Sequence, residues 1–106
     1  MVKRAEVWLV DFERQVGGVV QKRWPGVVVS PEEMDEYLST LILAPMSTHD
    51  LPAPFRIPVT FLHKDGLILL DQICTLEKSR LVRKLGVIGE DTMAKTLDVL
   101  QEVFAY

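Results

Sequence analysis

Three short clusters carry the residue types that chemistry needs. Lys22-Arg23-Trp24 sets two cations and an indole directly before Pro25-Gly26 and the run Val27-Val28-Val29. An arginine offers a planar fork of donors that fits phosphate oxygens in pairs, and an indole stacks on an unpaired base. The cluster is either an anion-and-base site or a solvated turn with a packed tryptophan. Ser47-Thr48-His49-Asp50 follows Ala44-Pro45. Its hydroxyls suit a phosphoryl oxygen or a ribose 2′-OH, and His49 can serve as acid or base. Four polar residues at a strand end also make an ordinary turn. They are not read as a Ser-His-Asp triad, because neighbours in one turn rarely converge. Asp71-Gln72 ends the run Ile68-Leu69-Leu70. Its carboxylate is a catalytic group or a partner for loop amides, and it must be paired if buried. Downstream, Lys78, Arg80, Arg83 and Lys84 form a basic stretch, which is a solvated face or an attractor of RNA or an acidic peptide.

Other chemistries are poorly served. His49 and His63 are the only histidines and have no cysteine partner at ligand spacing, so no metal site is expected. No glycine-rich phosphate loop is present. Cys74, the single cysteine, sits among apolar residues and is read as a buried structural thiol. With one cysteine no intrachain disulfide forms, which fits a reducing cytoplasm. A net charge of -3 excludes a chain that wraps nucleic acid with its whole surface, so any RNA contact must use a local patch. The start, MVKRAEVWLVDF, lacks a signal peptide's apolar region, and no apolar run approaches the roughly 20 residues that span a membrane. At 106 residues the chain is read as one domain over 1–106, small enough that a subunit interface would help its stability.

The elements that must position these clusters are short. Glu6 to Phe12 reads as a first strand and Val16 to Gln21 as a hairpin loop. Pro25-Gly26 reads as a turn into strand Val27 to Val29. Ser30-Pro31-Glu32-Glu33 has the form of a capping box opening a helix to about Tyr37. Thr40 to Ala44 is a buried strand that Pro45 ends. Phe55 to Thr60 is a strand whose Pro58 suggests an edge or a bulge. Lys64-Asp65-Gly66 reads as a hairpin turn into Leu67 to Ile73, and Lys78 to Leu85 as a helical turn or a further strand. Met93, Leu97, Leu100 and Phe104 mark one face of a C-terminal amphipathic helix, with Glu90 and Asp91 in its first turn. Strands this short favour a small, strongly bent barrel with the helix packed on it.

The clusters in this order resemble the MazF/PemK family of bacterial toxins. AEVWLVDF resembles the family's opening strand, RGEVWLVDL. VGG…KRWPGVVVS resembles VGSEQGKTRPAVVVS, and LILAPMSTHDLPAPFRIPV resembles VIVAPLTS…PFRVPV. LLDQICTLEKSRLVRKLGVIGEDTMAKTLDVL resembles LLDQIRTVDKSRLVKKLG…ETM…VDEAL. The resemblance spans nearly the whole chain. It implies a mainly β (α+β) fold, an SH3-like barrel of five to seven short strands with a C-terminal helix, assembled as a homodimer.

The resemblance also implies an endoribonuclease that needs no metal or other cofactor and cuts single-stranded mRNA. An antitoxin with a disordered acidic tail would inhibit it. Carried over residue by residue, the pattern is partial. The family's arginine before the proline falls on Trp24, its glutamate on Val19, and the arginine of DQIRT on Cys74. Its threonine falls on Ser47 and its aspartate on Asp71. The expected catalytic set is therefore Arg23, shifted by one residue to stabilise the phosphorane, with Ser47 or Thr48 orienting the substrate and Asp71 positioning or accepting a proton. Lys22, Trp24, His49, Gln72, Lys78 and Arg80 are the expected RNA contacts. The losses at Val19, Trp24 and Cys74 leave two other classes open: a non-cleaving toxin like the related CcdB gyrase poisons, or an inactive protein that still binds antitoxin. The ending Val103-Phe104-Ala105-Tyr106 lacks the Trp-Gly-Ile-like tail expected of a CcdB-like protein.

Overall fold

Runs rich in valine, isoleucine and leucine form the strands, several of which carry a proline or glycine within them. The computed structural model describes residues 2–12 and 23–106. It contains β1 (Glu6–Asp11), β2 (Arg23–Val28), α1 (Glu32–Tyr37), β3 (Thr40–Ser47), β4 (Arg56–Phe61), β5 (Lys64–Leu69), β6 (Cys74–Glu77), β7 (Leu81–Val87) and α2 (Glu90–Val103). Turns of 3-10 helix cover Leu70–Gln72 and Lys78–Arg80. The loop expected at Val16 to Gln21, Val19 and Lys22 all lie outside the described residues.

The strands make one antiparallel sheet in the order β4-β5-β3-β2-β1-β7, with β6 also paired to β3. It curls until its two ends meet. The Phe61 ring of β4 lies against Gly86 of β7, where an added Cβ would stand 3.0 Å from the ring. The mainly β, barrel-like sheet with a C-terminal helix is thus the fold that forms. Its concave face buries Val7, Val27, Ala44, Ile57, Ile68 and Leu70, closed by Ile88 and by Met93 of α2. The outer face has a smaller cluster of Val10, Leu41 and Leu43, against which Trp8, Phe12 and Cys74 pack. Full burial of each such aliphatic side chain is worth about 1.5–3 kcal/mol. Cys74, the first residue of β6 and opposite Leu43 of β3, is half-buried rather than fully enclosed.

Several sequence expectations are corrected. Pro25-Gly26 is no turn: both residues lie inside β2, opposite Leu9 and Trp8 of β1. At Pro25 the strand β3 has not yet joined, so Pro25 sits where β2 has a neighbour on one side only, a position that tolerates a missing donor. Gly26 is there for packing, since a Cβ would come within 2.9 Å of Leu43 Cδ1. Nor does Pro45 end β3. That strand pairs with β6 through Leu43 and with β5 from Met46, and Pro45 falls at the seam, where neither neighbour needs its amide.

The expected capping box does not form. The Ser30 hydroxyl bonds the backbone of Ile42, donating to its carbonyl and accepting from its amide, and so extends the β2–β3 pairing. Pro31 then occupies the cap position of α1 with no side-chain cap. The β4–β5 turn is Leu62-His63 rather than Lys64-Asp65-Gly66, with φ of 51° and 65°. The sheet places Gly66 inside β5 because a Cβ there would sit 2.7 Å from the Ser47 carbonyl oxygen. On α2, Met93 and Thr96 are buried and Leu97 and Leu100 pack against the core. Phe104 lies beyond the last helical residue and is exposed, so Thr96, its hydroxyl bonded to the Thr92 carbonyl, takes a place on the buried face that the spacing assigned to large apolar residues. Pro58 does lie on an edge strand, as β4 ends the sheet.

Candidate active site

Register assembles the site. Gly26 of β2 lies opposite Pro45 of β3, so two residues further out Trp24 stands level with Ser47, which itself pairs with Leu67 of β5. Beyond that row the β4–β5 hairpin continues alone through Val59↔Gly66, Thr60↔Asp65 and Phe61↔Lys64. The overhang and the end of β3 enclose an open cleft of about 680 Å³. Its polar groups come from Ser47, Thr48, His49, Asp50, Lys64 and Gln72, and its broad walls from Trp24, Phe61 and Leu62.

Local hydrogen bonds shape the polar side. The Ser47 Oγ accepts from the His49 amide at 3.0 Å, which folds 47–49 into a tight turn and leaves the hydroxyl proton to donate elsewhere. Thr48 Oγ1 stands 3.3 Å from His49 Nε2, a pairing either tautomer can make. Trp24 is 39% exposed. Phe12 stacks on it with ring centroids 5.2 Å apart and planes at 25°, so the indole is braced while still lining the cleft.

Behind the cleft stands a group that the sequence reading missed. Arg56 donates from Nε and Nη2 to the two oxygens of Asp71 at 3.1 and 3.0 Å, and from Nη1 to the Leu51 carbonyl at 2.9 Å. Asp50 Oδ1 is 3.9 Å from the same Nη1. One guanidinium therefore ties the start of β4 to the 47–51 turn and to the Leu70–Gln72 turn. Hydrogen bonding from Arg56 holds the Asp71 carboxyl below its ordinary 3.8, against the opposing effect of burial. Spacing gave no hint of this fork. Its only trace was the arginine inside PFRIPV, a stretch noted for its resemblance rather than for any role. Lys64 and Leu62 were likewise not singled out as site residues.

Residues 3–104 match the family model of PemK-like, MazF-like toxins of type II toxin-antitoxin systems. The chain belongs to this family. The toxin's fold is also that of solved relatives. MazF (Form-I) from Deinococcus radiodurans is 20% identical, with 99% of this chain and 97% of that one covered at a TM-score of 0.82. The MazE-MazF structure (Form-II) from the same organism gives 21%, 96%, 94% and 0.84. Mycobacterium tuberculosis toxin MazF-mt6 gives 16%, 93%, 95% and 0.78.

In this toxin the cleft gathers Trp24, Ser47, Thr48, His49 and Gln72 from the expected set. Asp71 stands just behind it, in the grip of Arg56. Arg23 opens β2 with its Cα opposite Asp11, and strand alternation directs it to the face away from Trp24. Lys78 and Arg80 lie elsewhere. The Lys78 amide bonds the Ser39 carbonyl just before β3, and its Nζ is held by Asp35, at 2.8 Å from Oδ1 and 2.7 Å from the backbone oxygen. Thr40 to Ser47 is seven strand steps, so this end of β3 is about 23 Å from the cleft. Among the described residues no helix is long and apolar enough to cross a membrane, and no group of three His, Cys, Asp or Glu side chains is placed to hold a metal ion.

Proposed function

We propose that this toxin is a cytoplasmic endoribonuclease that cleaves single-stranded mRNA without a metal ion. The observation that carries the reading is the cleft itself, where the Trp24 indole stands beside the Ser47 and Thr48 hydroxyls and the His49 imidazole. A splayed base stacks on an indole, which fits a single strand better than a duplex. The ribose 2′-OH then attacks the adjacent phosphorus. The 2′-O–P bond forms as the P–O5′ bond breaks, leaving a 2′,3′-cyclic phosphate and a 5′-hydroxyl. DNA lacks the nucleophile and is not a substrate.

In this reading His49 takes the 2′-OH proton or supplies one to the leaving oxygen, and Ser47 or Thr48 donates to a phosphoryl oxygen. Asp71 positions the site through Arg56, because a carboxylate held ionised by two charge-assisted hydrogen bonds is a poor proton acceptor. Lys64 supplies positive charge from inside the cleft, and Arg23 supplies it from the rim if the start of β2 turns toward the substrate. The protein works as a homodimer restrained by a cognate antitoxin with an acidic disordered tail. Support for such a partner comes from the Deinococcus radiodurans MazE-MazF structure and from a mycobacterial endoribonuclease solved in complex with its cognate antitoxin.

The test is purified protein on a long single-stranded RNA in excess EDTA. Fragments ending in cyclic phosphate and 5′-hydroxyl are expected; intact RNA sinks the proposal. Arg23→Ala and Lys64→Ala, measured side by side, then show which cation serves the transition state. A second reading, a toxin or antitoxin-binding protein that cleaves nothing, is favoured by one specific fact: an indole occupies the position where the family's arginine falls. A DNA gyrase supercoiling assay and growth arrest on induction distinguish its two forms.

A further inference from the structure

We propose that Leu62 is a specificity-determining residue of the cleft, gripping a splayed RNA base between its side chain and Trp24 and so deciding which base is admitted. The inference rests on the ribonuclease reading above and names one of its contacts. It starts from a residue choice that the hairpin does not explain. Leu62 and His63 form a two-residue hairpin loop in which both φ angles are positive, 51° and 65°. Asn-Gly is the pair that such a loop favours, and a leucine is uphill there. Burial usually offsets such strain, yet Leu62 is 60% exposed. A strained, exposed apolar side chain beside a cleft points to use at that cleft.

The hairpin is built to hold its tip still. Thr60 Oγ1 donates to Asp65 Oδ1 at 2.6 Å across its two strands. The Phe61 ring is seated on Gly86 of β7. Gly66 lets β5 pass against the Ser47 carbonyl, which fixes how far the tip reaches over the end of β3. Leu62 thus meets the cleft from the side opposite β2, where Phe12 braces the indole of Trp24.

The occupant that fits is a flat group with apolar faces and a polar edge. A nucleobase puts its faces against Trp24 and Leu62 and turns its edge to the Gln72 amide, which both donates and accepts. An acidic peptide fits less well, because among the described residues the lining offers a single lysine, Lys64, and also the carboxylate of Asp50.

Leu62→Asn tests this without endangering the turn, since asparagine accepts the left-handed conformation; Leu62→Gly is the second variant. The first readout is affinity for 2′-O-methyl oligonucleotides of A, C, G or U, which bind but cannot be cut. The second is the distribution of cleavage sites along a long RNA. Both variants should match or exceed the wild type in thermal stability while losing about tenfold of the discrimination between the best and second-best base. Folded variants that keep the wild-type ranking and spread in both readouts overturn the proposal. So does loss of poly-L-glutamate binding with base discrimination intact, which would make Leu62 a peptide contact. A wild-type protein that cuts no RNA overturns the ribonuclease reading instead, and Leu62 is then judged on the binding ranking alone.

Discussion

The two ends of β3 carry opposite arrangements of charge. At its start Lys78 is spent on Asp35, and Asp35 also accepts from the Val2 amide, so cation and anion knit α1, the chain start and the Lys78–Arg80 turn together. On the neighbouring β1–β7 pair Lys84 meets Glu6, which also accepts from the Trp8 indole. At the far end of β3 hydroxyls, an imidazole and an amide line an apolar cleft. Two cations of the basic stretch, Lys78 and Lys84, are thus held in ion pairs away from the cleft, while among the described residues the cleft lining carries Lys64 and Asp50.

The strongest way to break this comparison is to remove what both ends share. Leu43 is fully buried at the middle of β3. Leu43→Ala should cost about 2–5 kcal/mol in chemical denaturation and weaken both regions at once. Next comes Trp24→Ala, which should cost about 1–3 kcal/mol in binding a 2′-O-methyl single strand, read by fluorescence anisotropy, while the fold survives because the indole is part-exposed. Unfolding instead would make Trp24 a core residue. A smaller change sharpens the background. Ala5 holds φ at 78°, a conformation costing an L-residue about 1–2 kcal/mol, so Ala5→Gly should raise the melting midpoint or leave it level after glycine's own entropic penalty.

Lys78→Ala should lower thermal stability slightly and change RNA affinity by less than about twofold, since exposed or part-exposed pairs contribute little. A large affinity loss would return the basic stretch to the binding surface. The smallest effect is in acid. Asp71 is depressed in the folded state, so its contribution to stability is present above its ordinary 3.8 and is lost as pH falls through the lower folded value. Asp71→Asn should thus be less stable than wild type at neutral pH, and the gap should close below that range in a pH series of thermal melts.

How much of this was legible in the sequence varies with how local the cause is. Most strands were, because alternation and β-branched runs are local properties. But β6 was not, and the strand expected over Leu67 to Ile73 stops at Leu69, where a 3-10 turn covers Leu70–Gln72. Pro58 left an edge or a bulge open, and the edge is what forms. The two prolines at 25 and 45 misled for one reason. Each reads as a boundary in isolation, and each is harmless where the sheet happens to leave one side of the strand without a partner. Gly66 misled similarly, since it serves the backbone of Ser47, nineteen positions earlier in the chain, rather than its own turn. Ser47, Thr48 and His49 were found as a polar cluster after a strand, and Trp24 by its place beside cations. Arg56 and Lys64 had no such local mark, because the fork to Asp71 and the hairpin overhang exist only once β4 and β5 have paired.

One pairing has a consequence for synthesis. Glu6 lies across from Val87, and β1 contacts its neighbour β7 along nearly its whole length. A chain leaving the ribosome cannot close that ladder until residue 87 has emerged, and Gly86 must arrive before Phe61 has a seat and the overhanging hairpin a fixed position. Contacts so distant in sequence form slowly. The overhanging wall of the cleft is therefore among the last parts of the fold to be fixed.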